Sequence, residues 1–135
     1  YSIEIPIAES HELYKGIMDD KSTGVFNGKV YVHREAQKTN AYQSNANMVL
    51  TDDASINSKP ELEIYADDVK CSHGSTTGQL DEEALFYLRS RGLSEKSARA
   101  VLLNAYASDV LEHITVDSVK EEVEAFINKH YQGIK

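Results

Sequence analysis

The spacing of apolar residues changes once along this 135-residue chain, near Gln79, and that change limits what the chain can fold into. Before it the period is two. Val30 and Val32 alternate with Tyr31 and His33, and Leu62, Ile64 and Ala66 alternate with Glu61, Glu63 and Tyr65. Alternation of this kind suits strands, whose successive side chains face opposite ways. No helical stretch interrupts this half to supply βαβ crossovers. Asp19-Asp20, Asn27-Gly28, Asn40, Asn45, Asn47, Thr51-Asp52-Asp53 and Ser58-Lys59-Pro60 are expected in turns between the strands. Strands then recur at roughly a dozen residues, which fits a sandwich, a barrel or a solenoid. Asparagines at turns also recur in stacked coils, where their amides form ladders. The pattern gives an all-β first half and leaves its topology open. Tyr1 to Ile7 already alternates without a lead-in or an initiator Met, so a strand is expected there with neighbours on both sides, in a piece of a longer protein.

After Gln79 the period becomes 3.6. Asp81 can cap a first helix, with Glu82 and Glu83 at its positive end, Arg89 and Arg91 near its negative end and Gly92 as its stop. Leu85 and Leu88 mark the inner face. Ser94 can cap a second helix whose Ala98, Val101, Leu102 and Ala105 form a stripe, with Val110, Leu111 and Ile114 continuing the apolar content. Ser118 and Glu121 have capping-box spacing for a third, with Val119, Val123, Phe126 and Ile127 as its stripe and Gly133 beyond its end. Three short amphipathic helices must bury those stripes on each other, on the β half or on a partner.

The bulk properties exclude several classes. A formal charge of −8 with no cluster of Lys and Arg argues against nucleic-acid binding. No apolar run approaches the ~20 residues of a membrane helix, and no signal-peptide core is present. A single cysteine cannot form an internal disulfide, which points to a reducing compartment.

That cysteine carries the most specific chemistry. Cys71 and His73 lie two apart where the strand pattern gives way to the helical one, so a thiol and an imidazole face the same side. Cys71 shares its parity with Val69 and reads either as a buried, inert thiol or as a thiolate ligand. His73 reads as a surface histidine or as a metal ligand. A Cys-His hydrolase would need a third, base-orienting group and an oxyanion hole, and two neighbours on one strand are placed to share a ligand rather than to pass a proton. Glu61, Glu63, Asp67 and Asp68 lack calcium-loop spacing and read as a solvated strand edge. His11, His33, His113 and His130 show no i, i+4 pairing and carry no assignment.

The run from Cys71-Ser72-His73-Gly74 through Asp81-Glu82-Glu83-Ala84 to Leu85-Phe86-Tyr87-Leu88-Arg89-Ser90-Arg91-Gly92 resembles the C-terminal signature of the SufD family of iron–sulfur cluster assembly proteins. Lys38 to Leu50 and Asn57 to Lys70 are similar to two of its coils, and the likeness covers most of Gly24 to Ile127. Leu85 to Arg89 is shared with the paralogous SufB family, whereas Cys71 to Gly74 and Asp81 to Ala84 favour SufD. Ser75 departs from the Ala of many members.

The resemblance implies a right-handed parallel β-helix over residues 1–79, truncated on its N-terminal side, and a small α-helical subdomain over residues 80–135. It implies a non-catalytic scaffold, cytoplasmic or plastid, that pairs with a SufB-like paralogue through the β-helix and with the ATPase SufC through the helices. The histidine corresponding to His73 lies at the SufB interface in that family, which gives His73, and Cys71 beside it, as candidate ligands of a transient iron–sulfur cluster. A cluster takes four ligands. One thiol and one imidazole are too few, so no stably bound cofactor is expected and a partner must complete the set. ATPase-driven movement at the helical tail would open the pair and expose both residues. In isolation the uncovered β-helix end is expected to pair with a second copy. A β-solenoid enzyme acting on polysaccharide is the alternative, weakened by the absence of Trp; a purely structural interaction module is the third reading.

Overall fold

The computed structural model describes residues 1–132, which fall into two compact units, divided between Gln79 and Leu80. The described part of the first unit holds six strands: β1 (Ser2–Ile3), β2 (Glu9–Met18), β3 (Thr23–Val32), β4 (Asn40–Val49), β5 (Ser55–Ile64) and β6 (Lys70–Gly78). All described pairings are parallel. The odd strands form one sheet in the order β1-β3-β5 and the even strands another in the order β2-β4-β6, so the chain changes sheet at each connection. Ser2 lies beside Tyr31, Glu9 beside Asn40, Thr23 beside Ser55 and Asn40 beside Lys70, a pairing offset that stays between 29 and 32 residues. A near-constant offset lets like positions stack strand on strand.

The expected turns divide into two groups. Asp19-Asp20 and Thr51-Asp52-Asp53 do end strands. Asn27-Gly28 lies inside β3, Asn40, Asn45 and Asn47 lie in β4, and Ser58-Lys59-Pro60 lies inside β5. For Asn45, Asn47 and Ser58 the cause is that in parallel strands stacked on like strands an inward polar side chain is satisfied by its neighbours, so a polar residue need not mark a turn. Pro60 is tolerated because β5 is the outer described strand of its sheet. The corners between strands use left-handed backbone at Ile7, Asp20 and Lys38, with φ of 57°, 56° and 59°. Ile7 N–H donates to the Gln37 carbonyl and Lys38 N–H to that of Asp68, so successive corners are tied together.

The apolar core of this unit gathers Ile3, Val30, Val32, Ala36, Ala41 and Ala66, with Ala8, Leu62, Val69 and Cys71 packed against it. Val32 is fully buried, as the alternation predicts, and its burial is worth about 2 kcal/mol. Ile64, beside Val32 on the outer strand, stays exposed, contrary to its place in the sequence alternation.

The all-β description holds for residues 1–79 only, because α1 (Glu82–Ser90), α2 (Glu95–Leu111) and α3 (Asp117–Gln132) follow. Asp81 caps α1, its carboxylate accepting from the N–H groups of Glu83 (2.9 Å) and Ala84 (3.1 Å). Gly92, at φ 96°, closes it: Leu93 N–H reaches the Leu88 carbonyl and Gly92 N–H that of Arg89. Ser94 caps α2 through the Ser97 N–H at 3.1 Å. The α2 stripe is rotated from the expected one, since Ala98, Leu103 and Leu111 are buried while Val101 and Ala105 face solvent. Helix α2 packs against both α1 and α3, so two sectors of its surface are covered and a single stripe does not describe it. Helix α3 starts before Ser118: Lys120 N–H already donates to the Val116 carbonyl, which puts Ser118 in the first turn instead of at the cap. Val119 and Phe126 of its stripe are exposed, and the expected stop at Gly133 lies outside the described residues. No described helix is long and apolar enough to cross a membrane.

Candidate functional site

Strand β6 carries both candidate ligands. It pairs only with β4 among the described residues, placing Cys71 beside Ala41 and His73 beside Gln43. Parity puts both side chains on the inner side of the sheet. Cys71 is half-buried against the apolar cluster, whereas His73 and the rest of β6 are exposed, β6 being the outer described strand of its sheet. Burial pushes the Cys71 thiol above its ordinary value, and the Ala41 backbone partly opposes this. The free chain therefore holds Cys71 as a thiol; becoming a ligand would require losing the proton to a metal.

Next to this edge the inner face of the sheet is polar, a feature that alternation of apolar residues could not reveal. Gln43, Asn45 and Asn47 are each less than 5% exposed, at 3%, 3% and 4%. Asn47 Nδ2 donates to Asn45 Oδ1 at 2.6 Å, and Ser58 Oγ donates to the same oxygen at 2.6 Å. Ser75, on β6, reaches Asn45 Oδ1 at 3.4 Å and Ser58 Oγ at 2.7 Å. The two asparagines thus form a pair along one strand, cross-linked to hydroxyls of β5 and β6. The hydroxyl by which Ser75 departs from the resembled family belongs to this network. One step along, Gln43 Nε2 donates to Glu12 Oε2 at 2.9 Å, while Glu12 Oε1 and Gln43 Oε1 are buried without a partner. The signal that could have shown these residues is the offset of about thirty, which sets Glu12, Gln43 and His73 in one row.

The remaining candidates are placed on outer surfaces. Glu63 pairs with Lys29 at 2.5 Å, and Glu61 with Lys59 at 2.7 Å and Lys29 at 3.5 Å, which makes the acidic run a charge lattice. His33 packs edge-on to Tyr31, His11 stacks on Tyr42 and His130 on Phe126. Among the described residues no group of three or more His, Cys, Asp or Glu side chains is placed to hold a metal. In the helical unit Phe86 and Tyr87 are exposed at 75% and 56%, with the Arg91 guanidinium 5.3 Å from the Tyr87 ring centre.

Residues 2–106 match the family described as SUF system FeS cluster assembly, SufBD core domain. The chain is similar to an iron-sulfur cluster assembly SufBD family protein of Synechocystis, 49% identical over 115 residues, covering 85% of this chain and 25% of that protein. It is 42% identical over 124 residues to the iron-sulfur cluster assembly protein SufD of Escherichia coli, covering 92% and 29%. To a chloroplastic protein of Arabidopsis thaliana it is 37% identical over 133 residues, covering 98% and 27%. The chain therefore spans between a quarter and a third of the length of these relatives. With the parallel two-sheet unit and a match over most of its length, the chain belongs to the SufBD family of Suf iron–sulfur cluster assembly proteins.

Proposed function

We propose that this chain is a non-catalytic scaffold segment of Suf cluster assembly, and that its two sheets are the last coils of a right-handed parallel β-helix. The observation that carries this reading is the pairing of Cys71 and His73 on the inner side of an outermost strand. An uncovered parallel edge presents unpaired backbone groups and invites a partner strand. A SufB-like paralogue docking there would bring further ligands to the same place. The cluster is cargo: the imidazole of His73 and, once deprotonated, the thiolate of Cys71 would supply two of its four ligands during assembly. The exposed Phe86 and Tyr87 of α1 and the exposed apolar residues of α3 support docking of a SufC-like ATPase on the helical unit. Without a paralogue the same β edge pairs with a second copy, giving a homodimer. The compartment is cytoplasm or plastid stroma.

The test is complementation of a cell lacking the corresponding scaffold, with the segment carried in its full-length protein. His73→Ala is expected to lower cluster assembly at least tenfold, whereas His33→Ala leaves it unchanged. Full assembly with His73→Ala would leave only a structural role.

A further inference from the structure

Two rungs of the inner face can be compared directly. In the rung containing Asn45, a side chain of β6 completes the network: Ser75 Oγ donates to Ser58 Oγ at 2.7 Å, which in turn donates to the amide oxygen of Asn45, the in-register neighbour of Ser75 on β4. In the adjacent inward rung, Gln43 occupies the place of Asn45 and His73 the place of Ser75. Here the network is open. Gln43 is 3% exposed, its Nε2 is committed to Glu12, and its Oε1 has no donor. A buried amide oxygen without a donor is destabilising. Glu12 does not serve: its Oε2 accepts from the Gln43 amide and its Oε1 has no partner either. The opposite sheet offers no donor near that oxygen either: it sits over Gly28, where a Cβ would come within 2.6 Å of it. The next position along the row, one backbone strand spacing of about 4.8 Å away, is His73, whose imidazole is exposed, carries a ring N–H and makes no hydrogen bond to this oxygen in the structure.

We infer that Gln43, held by Glu12, is a positioning residue for His73: its Oε1 accepts one ring N–H, fixing the tautomer and leaving the other ring nitrogen with a free lone pair. Ligating histidines are commonly oriented in this way by an acceptor behind the ring. Glu12 orients Gln43 by accepting from its amide nitrogen, so that the oxygen and not the nitrogen is left for the imidazole. The row Glu12–Gln43–His73 prepares one nitrogen for a soft electrophile at the open edge before any partner arrives. This rests on the reading of His73 as a ligand only for its purpose; the hydrogen bond itself does not require a metal.

The experiment is long-range proton–nitrogen NMR of the uniformly 15N-labelled chain, at a pH where His73 is neutral, reading the populations of its two tautomers. The parent is expected to favour one tautomer by roughly tenfold, the size of one net hydrogen bond. Gln43→Met should bring the ratio within about twofold of an unstructured His-containing peptide. Equal ratios in the parent and in Gln43→Met, with native spectra, would overturn the inference and leave a buried water as the occupant of that oxygen. If Gln43→Met does not fold, Glu12→Met, which leaves Gln43 unanchored, reads the same ratio and is expected to lower it. No iron is present in this measurement, so its failure is separate from a failure of His73→Ala to impair cluster assembly.

Discussion

Gly28 shows how single atoms decide packing in the β unit. A methyl group there would lie 2.6 Å from both Gln43 Oε1 and the Phe26 ring, and neither can withdraw freely, one being buried and anchored, the other aromatic. Gly28→Ala is expected to lower stability by about 1–3 kcal/mol, read as a lower denaturant midpoint with an unchanged slope. Cys71 gives a second test at this scale. Its thiol is held protonated by burial, so at neutral pH it should alkylate more slowly than a free thiol, with the rate profile displaced to higher pH. The sign for stability follows. The folded state holds this proton more tightly than the unfolded chain, so its contribution is complete below the ordinary thiol range and is lost as pH rises through the raised value. Cys71→Ala should remove that part of the alkaline slope. A rate equal to that of a free thiol peptide would contradict the burial of Cys71.

At the scale of elements, what could be read in the sequence depended on whether local spacing alone determines the structure. The caps at Asp81 and Ser94 and the stop at Gly92 use groups a few residues apart, and the chain spells them out. The buried alternation at Val30 and Val32 is equally local. Asn45, Asn47 and Ser58 misled because their partners lie on other strands, and polarity alone looks like a turn. The α2 stripe misled because two neighbours cover it. For the site, Cys71 and His73 were legible as a spacing, whereas Glu12 and Gln43 needed the thirty-residue offset that only pairing reveals. The corners offer a further prediction. Ile7 is β-branched, 77% exposed and left-handed at φ 57°, so it contributes little burial while carrying backbone strain. Ile7→Asn should raise the unfolding free energy by about 1 kcal/mol, visible as a higher melting temperature. No gain would mean that the corner, tied to Gln37, is held without strain.

At the scale of the molecule, the β unit offers an edge with an exposed imidazole, a half-buried thiol and a polar row behind them, but no described cluster of three ligating side chains. Two donors cannot enclose an iron–sulfur core, and on the function proposed above a second polypeptide supplies the remainder. That division of labour is the central claim. It is tested by purifying the chain anaerobically, alone and together with a SufB-like paralogue and a SufC-like ATPase, and measuring iron and acid-labile sulfide per chain. The account predicts that the chain alone holds at most a trace of either, that the complex carries both in comparable amounts, and that His73→Ala lowers the complex toward the level of the single chain. Stoichiometric iron and sulfide on the chain by itself would contradict it.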